Sequence, residues 1–352
     1  MDTVRLAPHD PRVREERAEI RGKTYTYLIG EPEQERPTGT VFLIHGFPDM
    51  AFGWRCQIPV FLSMGFRVVA PNMVGYAGTS RPEELGQWSM KSIADDIQAL
   101  AGHVLGENEK GEKGEKGQII LGGHDWGGAV VWRVALWHPE LIRAVFSVCT
   151  PFQAPSTRWM PLEEHLAAGR LAHFRYQLQL AGPDVEARVT TAQHVGHFLR
   201  GMFGGRGPGG EVGFTTSAGV QLDLDQLARL GPSPLLSPAE LHHYVEQYMR
   251  QPAPPLRGPL NWYRTSRINY DEERRLAADF RQLDMPALFI AATNDAALPL
   301  SLSAGMERHF AQLTRGEVDS SHWALIEASA EVNAQIVAWL AKVLPEDIRA
   351  TL

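Results

Sequence analysis

An aspartate between two glycines connects a short apolar strand to an apolar helix. The segment Gly123-His124-Asp125-Trp126-Gly127 follows Gln118-Ile119-Ile120-Leu121. A strand, a sharp glycine-flanked turn and a helix are the context of a nucleophile elbow, in which the central residue of G-x-S-x-G attacks the substrate. Because a carboxylate that attacks saturated carbon leaves an ester that water can cleave, Asp in place of Ser predicts displacement at saturated carbon. The alternative is a turn in which Asp125 only caps the helix.

Two apolar strands near the C-terminus end in polar loops that hold a candidate acid and a candidate base. One strand leads into Asp295, and the next leads into Asp319 and His322. Residues just past the C-terminal ends of parallel strands converge on one edge of the sheet, where open α/β proteins bind ligands. The order Asp125, Asp295, His322 therefore predicts nucleophile, acid and base. Asp319 is the alternative acid, but we expect it to be a solvated loop residue.

An early strand ends in His45-Gly46-Phe47-Pro48, which fits an oxyanion loop. The glycine lets the backbone approach closely, and the proline fixes the direction in which the chain leaves. We predict the backbone N–H groups of Phe47 and Trp126 as oxyanion donors. They would hold the Asp125 carboxylate for attack and then stabilise the oxyanion formed when the ester is cleaved. Without the elbow, this motif would be only a strand-ending turn.

These motifs resemble those of epoxide hydrolases with the α/β-hydrolase fold, of the soluble type found in fungi, bacteria and mammals. The resemblance rests on His45-Gly46-Phe47-Pro48, on Gly122–Gly128, on Asp295 and on His322-Trp323. It covers about residues 20 to 340, nearly the whole chain. It implies a small-molecule epoxide and water as substrates.

A pair of lid tyrosines separates epoxide hydrolases from their dehalogenase relatives. Phe174–Leu178 resembles the segment that carries the first, and Arg257–Arg264 closely resembles the segment that carries the second. The resemblance therefore assigns these roles to Tyr176 and Tyr263. A phenol with a pKa near 10 can hydrogen-bond the oxygen of an opening epoxide and give a proton to the alkoxide. Alternatively, both are ordinary half-buried residues.

The elements that must position these residues alternate between strands and helices, which predicts a mostly parallel sheet in an α/β fold. The predicted strands lie near Ala18–Arg21, Thr24–Leu28, Val41–Ile44, Phe66–Ala70, Gln118–Leu121, Ala144–Val148, Ala287–Ala292 and Arg315–Val318. Between Pro151 and about Leu283 the alternation stops, and helix-like segments follow. We therefore predict an α/β-hydrolase core in residues 1–150 and 284–352, and an inserted helical lid in residues 151–283.

Composition agrees with one large core, since 44% of the 352 residues are hydrophobic. The net charge of −7 argues against nucleic acid or an anionic membrane as a partner. Two cysteines suggest no disulfide framework, and residues 1–21 contain no apolar stretch that could act as a signal peptide or anchor. We therefore expect a cytoplasmic protein.

Other motifs favour structural roles. The charged repeat Glu107–Gly117 is too polar to pack and predicts a surface loop. Gly204–Gly210 lacks the strand and helix that a phosphate loop requires, so a lid turn is the better interpretation. His194 and His197 have metal-ligand spacing, but they have no Glu between them and no evident third ligand. We expect neither a metal nor a cofactor.

The predicted reaction is a two-step hydrolysis. Asp125 attacks an epoxide carbon while the two phenols stabilise the leaving oxygen, and His322, oriented by Asp295, then activates the water that releases a vicinal diol. The main alternative is a haloalkane or haloacid dehalogenase. Such enzymes need side-chain N–H donors around a halide: Trp126 could supply one, but the Phe47 side chain cannot donate, and the tyrosine pair favours an epoxide. The other alternative, a non-catalytic ligand-binding protein, would not need an activated water.

Overall fold

The computed structural model describes residues 4–106, 117–216 and 221–344. Its eight strands form one sheet in the order β1-β2-β4-β3-β5-β6-β7-β8. Their bounds are β1 Arg14–Ile20, β2 Lys23–Gly30, β3 Gly39–Ile44, β4 Phe66–Pro71, β5 Ile119–His124, β6 Ile142–Val148, β7 Ala287–Ala292 and β8 Leu313–Val318. β2 pairs antiparallel with β1 and β4, and all other neighbours are parallel. The predicted α/β fold with a mostly parallel sheet is confirmed.

The central strands are apolar because both of their faces are covered. Every residue of β5 and β7 is buried, as is every residue of β3 after Gly39. Strands buried on both faces have continuous apolar runs instead of alternating polar and apolar residues. The edge strands β1 and β8 have mostly exposed residues and contain several charges.

The helices are α1 Ile58–Ser63, α2 Met90–Leu105, α3 Trp126–Trp137, α4 Leu162–Ala167, α5 Arg175–Ala181, α6 Asp184–Arg188, α7 Ala192–Met202, α8 Pro238–Tyr248, α9 Arg257–Asn261, α10 Ser266–Glu273, α11 Ala324–Glu327 and α12 Ser329–Val343. Helix α8 begins with a capping box, in which the Ser237 side chain accepts from the backbone N–H of Glu240 and the Glu240 side chain accepts from that of Ser237. This arrangement satisfies two N–H groups that the helix leaves free.

The chain divides into two compact units. The core unit consists of Met1–Met73, Met90–Ala154 and Asp279–Leu352, and it contains the whole sheet. The inserted unit consists of Val74–Ser89 and Pro155–Ala278, and it contains α4 to α10. The division predicted from the sequence, a core in residues 1–150 and 284–352 and a lid in residues 151–283, stays a prediction.

Side chains from the later part of the inserted unit satisfy the backbone of Val74–Ser89. The Gln251 amide donates to the carbonyls of Ala77 and Thr79, and the Trp262 indole donates to that of Val74. Hydrogen bonds of this kind, from a side chain to the backbone of a distant loop, produce no periodic pattern in the sequence, so the sequence does not predict them.

The charged repeat, the glycine-rich segment and the apolar character of the helices can be compared with the sequence analysis. The charged repeat lies outside the described residues except for its last glycine. The segment Gly204–Gly210 includes a turn, next to which Arg206 and Val212 form an antiparallel bridge. Within the described ranges, no helix combines the length and apolar character that crossing a membrane requires.

Candidate active site

Asp125 lies in the sharp turn between β5 and α3. Its φ of +53° and ψ of −125° are a conformation that few non-glycine residues adopt. The neighbouring glycines make the turn possible, since a Cβ at Gly123 would lie 2.2 Å from the carbonyl oxygen of Gly127. The Asp125 side chain makes no capping hydrogen bond to α3, which argues against the purely structural interpretation.

The Asp125 carboxylate faces a backbone N–H on one side and an imidazole on the other. Its Oδ1 accepts from Phe47 N–H at 2.6 Å, and its Oδ2 lies 3.4 Å from His322 Nε2. Burial favours the neutral carboxyl, but the hydrogen bond and the charge of His322 outweigh it and lower the pKa of Asp125 below 3.8. The group is therefore ionised at neutral pH, as a nucleophile must be.

Asp295 holds the other side of the His322 ring. His322 Nδ1 donates to Asp295 Oδ2 at 2.7 Å, and the backbone N–H groups of Ala297 and Leu298 both donate to Oδ1 at 2.8 Å. Although burial opposes ionisation, the charge of His322 and these hydrogen bonds lower the pKa of Asp295 to about 2. The alternative acid, Asp319, is exposed and accepts from the Asn294 side chain.

His322 therefore lies between two carboxylates. Burial alone would lower its pKa, but the charge of Asp295 and the hydrogen bonds to Asp125 and Asp295 raise it well above 6.5. The two carboxylates therefore favour the protonated, imidazolium form of His322.

The two predicted tyrosines meet inside the inserted unit. Tyr176 lies in α5, and Tyr263 lies in the turn that follows α9. Their ring centroids are 6.3 Å apart and their planes are nearly perpendicular. Tyr176 is buried and Tyr263 is half-buried. The structure thus brings the nucleophile, acid and base together within the core unit. It brings the two phenols together within the inserted unit.

Comparisons with known proteins agree on one family. Residues 39–329 match the family described as alpha/beta hydrolase fold. An epoxide hydrolase of Neurospora crassa is 39% identical over 96% of this chain and 98% of its own length. The chain belongs to the epoxide hydrolases of the α/β-hydrolase fold. The family, fold and enzyme class predicted from the sequence are confirmed.

Other epoxide hydrolases differ in length. The bifunctional epoxide hydrolase 2 of Sus scrofa is 33% identical over 85% of this chain, but the chain spans only about half of that protein, 51%. The crystal structure of epoxide hydrolase A from Mycobacterium thermoresistibile has a TM-score of 0.73 and 28% identity, covering 94% of this chain and 98% of that one.

In this epoxide hydrolase family member, His45 braces the peptide that faces the nucleophile. Its Nδ1 donates to the Gly46 carbonyl at 2.9 Å, and its Nε2 accepts from Met73 N–H at 2.9 Å. Burial lowers the pKa of His45 to about 4, so the ring is neutral. Asp49 N–H also donates to the Gly46 carbonyl, at 3.0 Å. The Gly46 carbonyl and the Phe47 N–H belong to the same rigid peptide plane, so His45 and Asp49 together fix the direction of the N–H that meets Asp125.

The backbone carbonyl of His322 is also held. His124 Nε2 donates to it at 2.8 Å, and the Cys149 thiol donates to it at 3.5 Å. Burial, followed by the charge of His322, lowers the pKa of His124 to about 4, so this ring is neutral.

The side chains of His124, Cys149 and His322 could in principle hold a metal ion, since one ligand atom from each lies within 4.8 Å of the others. His322 Nδ1 is bonded to Asp295 and Nε2 faces Asp125, so a metal would compete with a carboxylate for either ring nitrogen. It would also need the thiolate, and burial raises the pKa of Cys149 well above 9.0. This arrangement favours the family's triad over a metal centre.

Sequence reasoning missed the residues that support the triad. His45 stands in a motif that was read only for its glycine and proline, so its role as a brace was overlooked. Thr150, whose hydroxyl donates to the Asp125 carbonyl at 2.7 Å, gives no sequence signal. Trp126 begins α3 and is half-buried; its role as the second oxyanion donor stays a prediction.

Proposed function

We propose that this chain hydrolyses epoxides to vicinal diols through an ester formed on Asp125. The observation that carries the proposal is the environment of this carboxylate. It lies on a strained turn, with one oxygen on the Phe47 N–H and the other facing an imidazole that Asp295 holds. A serine at this position would form an ether, which water does not readily release.

In the first step, Asp125 Oδ2 attacks an epoxide carbon, and the bond from that carbon to the epoxide oxygen breaks. The electron pair of that bond stays on the epoxide oxygen, which takes a proton from one of two phenols, Tyr176 and Tyr263. Oδ1 is held by Phe47 N–H at 2.6 Å, whereas Oδ2 has only the longer contact with His322 Nε2, at 3.4 Å, so Oδ2 is the oxygen that we propose attacks. The product is a monoester of the diol, and two donors on one oxygen stabilise the charge as it develops.

In the second step, His322 removes a proton from a water that attacks the ester carbonyl. Phe47 N–H, with Trp126 N–H proposed as its partner, stabilises the oxyanion on Oδ1. The diol alkoxide then leaves with the oxygen that had been Oδ2, and it takes a proton from His322.

Ester formation also changes His322 in the direction this mechanism needs. Asp125 raises the pKa of His322 through its charge and its hydrogen bond. Esterification removes that charge, so the pKa of His322 falls. The imidazolium then releases its proton, the phenolate left by the first step takes one up through solvent, and the neutral ring can act as a base. When hydrolysis frees the Asp125 carboxylate, the pKa of His322 rises again and the ring takes a proton from solvent. One group thus serves as a fixed cation before the first step and as a base after it.

We further propose that the inserted unit is the lid that brings the phenols to the substrate. Its main segment enters the chain between β6 and β7, at the C-terminal end of a parallel strand, where α/β folds bind ligands. It also contains both tyrosines.

The first experiment is diol formation from racemic styrene oxide, with Asp125→Ala as the blank. A single turnover with excess enzyme in ¹⁸O-water then tests the ester. The diol from the first turnover should carry no label, because its new oxygen comes from Asp125. Labelled diol in the first turnover would mean direct attack by water and would overturn the ester.

The dehalogenase alternative is tested by a haloalkane of similar size, such as 2-phenylethyl bromide. Halide release without diol from any epoxide would favour that activity. The expected result is diol from the epoxide and no halide.

The predicted cytoplasmic location remains a prediction. Fractionation of cells that express the chain would check it.

A further inference from the structure

Arg264 directly follows Tyr263 and connects it to the helix that carries Tyr176. Its Nε donates to the Ala181 carbonyl at 2.9 Å, and its Nη2 donates to the Gly182 carbonyl at 3.1 Å. Ala181 is the last residue of α5, and Gly182 is its C-cap. Arginine side chains near a helix C-terminus satisfy carbonyls that have no partner in the helix. Here the arginine comes from a different segment of the chain, so the contact joins two elements.

The remaining face of the guanidinium is also fixed. Arg264 Nη1 donates to Asn261 Oδ1 at 2.9 Å and lies 3.0 Å from Glu186 Oε2. The other oxygen of Glu186 accepts from Arg257 Nε at 2.6 Å. Glu186 is therefore shared by the first residue of α9 and by the residue after Tyr263.

These contacts hold Glu186 as a carboxylate. Its side chain is 15% exposed and that of Arg264 is 20% exposed, so solvent screens the pair less than a surface ion pair. Burial acts to raise the pKa of Glu186, but hydrogen bonds from Arg257 and Arg264 outweigh it and lower the pKa below 4.5.

We propose that Arg264 is a positioning residue that sets the separation of the two phenols. The inference rests on the proposed function. The path from one ring to the other runs from Tyr176 along α5 to its last carbonyl, through the Arg264 guanidinium, and back one residue to Tyr263. The planar guanidinium supports this role, because its donors are rigidly spaced and contact both carbonyls, Asn261 and Glu186 at once.

The role has a kinetic consequence that differs between the two steps. Ester formation needs both phenols on one oxygen, and a misplacement of about 1 Å can cost on the order of 100-fold in rate. Ester hydrolysis uses Asp125, His322 and water, so it does not need the phenol pair. A change at Arg264 should therefore slow the first step and spare the second.

The test compares Arg264→Gln and Arg264→Lys with Arg267→Gln as the matched control. Arg267 is three residues along the chain, 60% exposed and paired with Asp271 within α10. Rapid quenching of single turnovers with styrene oxide gives the rates at which the Asp125 ester forms and decays. We expect ester formation to slow by about 100-fold in Arg264→Gln, and by less in Arg264→Lys, which keeps one donor and the charge. Ester decay should stay within about twofold of the wild type in both, and Arg267→Gln should match the wild type in both steps.

A double-mutant cycle separates positioning from general loss of structure. In a Tyr176→Phe background there is no second phenol to align, so Arg264→Gln should slow ester formation by no more than about 10-fold. The same slowing in both backgrounds, or equal slowing of both steps, would overturn the inference. Ester counted per enzyme molecule separates an inactive fraction from a slower rate. If the wild type forms no ester and no diol, the proposed function itself fails. If the wild type is active and the Arg264→Gln variant forms the ester equally fast, only the inference about Arg264 fails.

Discussion

At the scale of single residues, His322 contacts two carboxylates, Asp125 and Asp295. The proposed reaction turns Asp125 into a neutral ester and leaves Asp295 ionised. While Asp125 is ionised, both charges hold the pKa of His322 well above 6.5. In the ester only Asp295 remains charged, so the pKa of His322 is lower in the intermediate than in the free enzyme. The two steps should therefore depend on pH differently.

Ester hydrolysis should slow as the pH falls through the pKa of His322 in the intermediate, because only the neutral ring can accept a proton. Ester formation should continue, since Asp125 has a pKa below 3.8 and stays ionised above that pH. Rapid-quench mass spectrometry across pH 4 to 9 should show the Asp125 ester accumulating at the acid end. A His322→Gln variant should accumulate it at every pH. Steady multiple turnovers by that variant would contradict the assignment of the base.

His45 gives a second prediction at this scale. In His45→Ala, the Met73 N–H loses its partner in a buried site, and the Gly46 carbonyl keeps only the Asp49 N–H. An unsatisfied buried group costs about 1 to 3 kcal/mol, so we expect a loss of about 1 to 3 kcal/mol in the free energy of unfolding. Because the Gly46–Phe47 peptide is then held by Asp49 N–H alone, Phe47 N–H is positioned less firmly, and ester hydrolysis should also slow by about 10- to 100-fold. Urea unfolding and ester decay measure the two effects, with the exposed His242→Ala as control.

The nucleophile and the base could be predicted from the sequence because their chemistry restricts residue type within short motifs. The brace residues could not be predicted in this way. His124 and Cys149 act through one carbonyl of a loop about 170 to 200 residues away. Contacts with a distant backbone leave no local pattern, so they become visible only when the fold is known.

At the scale of elements, the position of α3 depends on how closely its first turn approaches β3. A Cβ at Gly127 would lie 2.0 Å from the Ile44 carbonyl oxygen, and one at Gly46 would lie 2.3 Å from Asp125 Oδ1. These glycines therefore set the separation of the elbow from the oxyanion loop, in addition to allowing a turn.

Gly127→Ala should therefore push α3 away from β3. We expect a loss of about 3 kcal/mol or more in the free energy of unfolding, because the clash is with backbone that cannot rotate away. Gly102→Ala in α2 is the matched control, since nothing lies within 4 Å of the added Cβ. It should stabilise the protein by about 0.5 to 1 kcal/mol through helix propensity. Equal effects of the two substitutions in thermal unfolding would contradict this account.

The elements themselves could be predicted unequally well. The central strand β7 is apolar throughout, and β5 begins with three apolar residues, so both stand out in the sequence. β1 begins at Arg14, four residues before its predicted start, because an exposed edge strand needs no apolar face. Its charges instead protect the edge from pairing with another chain. The sequence does not show that the segment Val74–Ser89 belongs to the inserted unit. Side-chain hydrogen bonds hold it there, and they leave no periodic pattern of apolar residues.

At the scale of the whole molecule, the triad links stability to pH. Asp295 has a pKa of about 2 in the folded protein against 3.8, so its contribution is present above pH 3.8 and is lost as the pH falls toward 2. His322 has a raised pKa, so its contribution is present below pH 6.5 and is lost as the pH rises through the folded value. Both contributions are complete only between about pH 4 and 6.5.

We therefore expect the difference in unfolding free energy between the wild type and His322→Gln to be greatest between about pH 4 and 6.5. The Asp295 share is on the order of 2 kcal/mol, from a pKa lowered from 3.8 to about 2. Chemical denaturation at a series of pH values measures the difference. A difference independent of pH would show that the ion pairs do not stabilise the fold.

The order of the strands has a consequence for synthesis of the chain. β7 pairs with β6, yet about 140 residues separate the end of one from the start of the other. At about 5 to 20 residues per second, a ribosome needs about 7 to 30 seconds to make that stretch. Throughout that time the outer edge of β6 has no strand beside it, and an unpaired apolar edge can associate with other chains. We expect the growing chain to be most prone to aggregation, and most in need of a chaperone, while the inserted unit is being made.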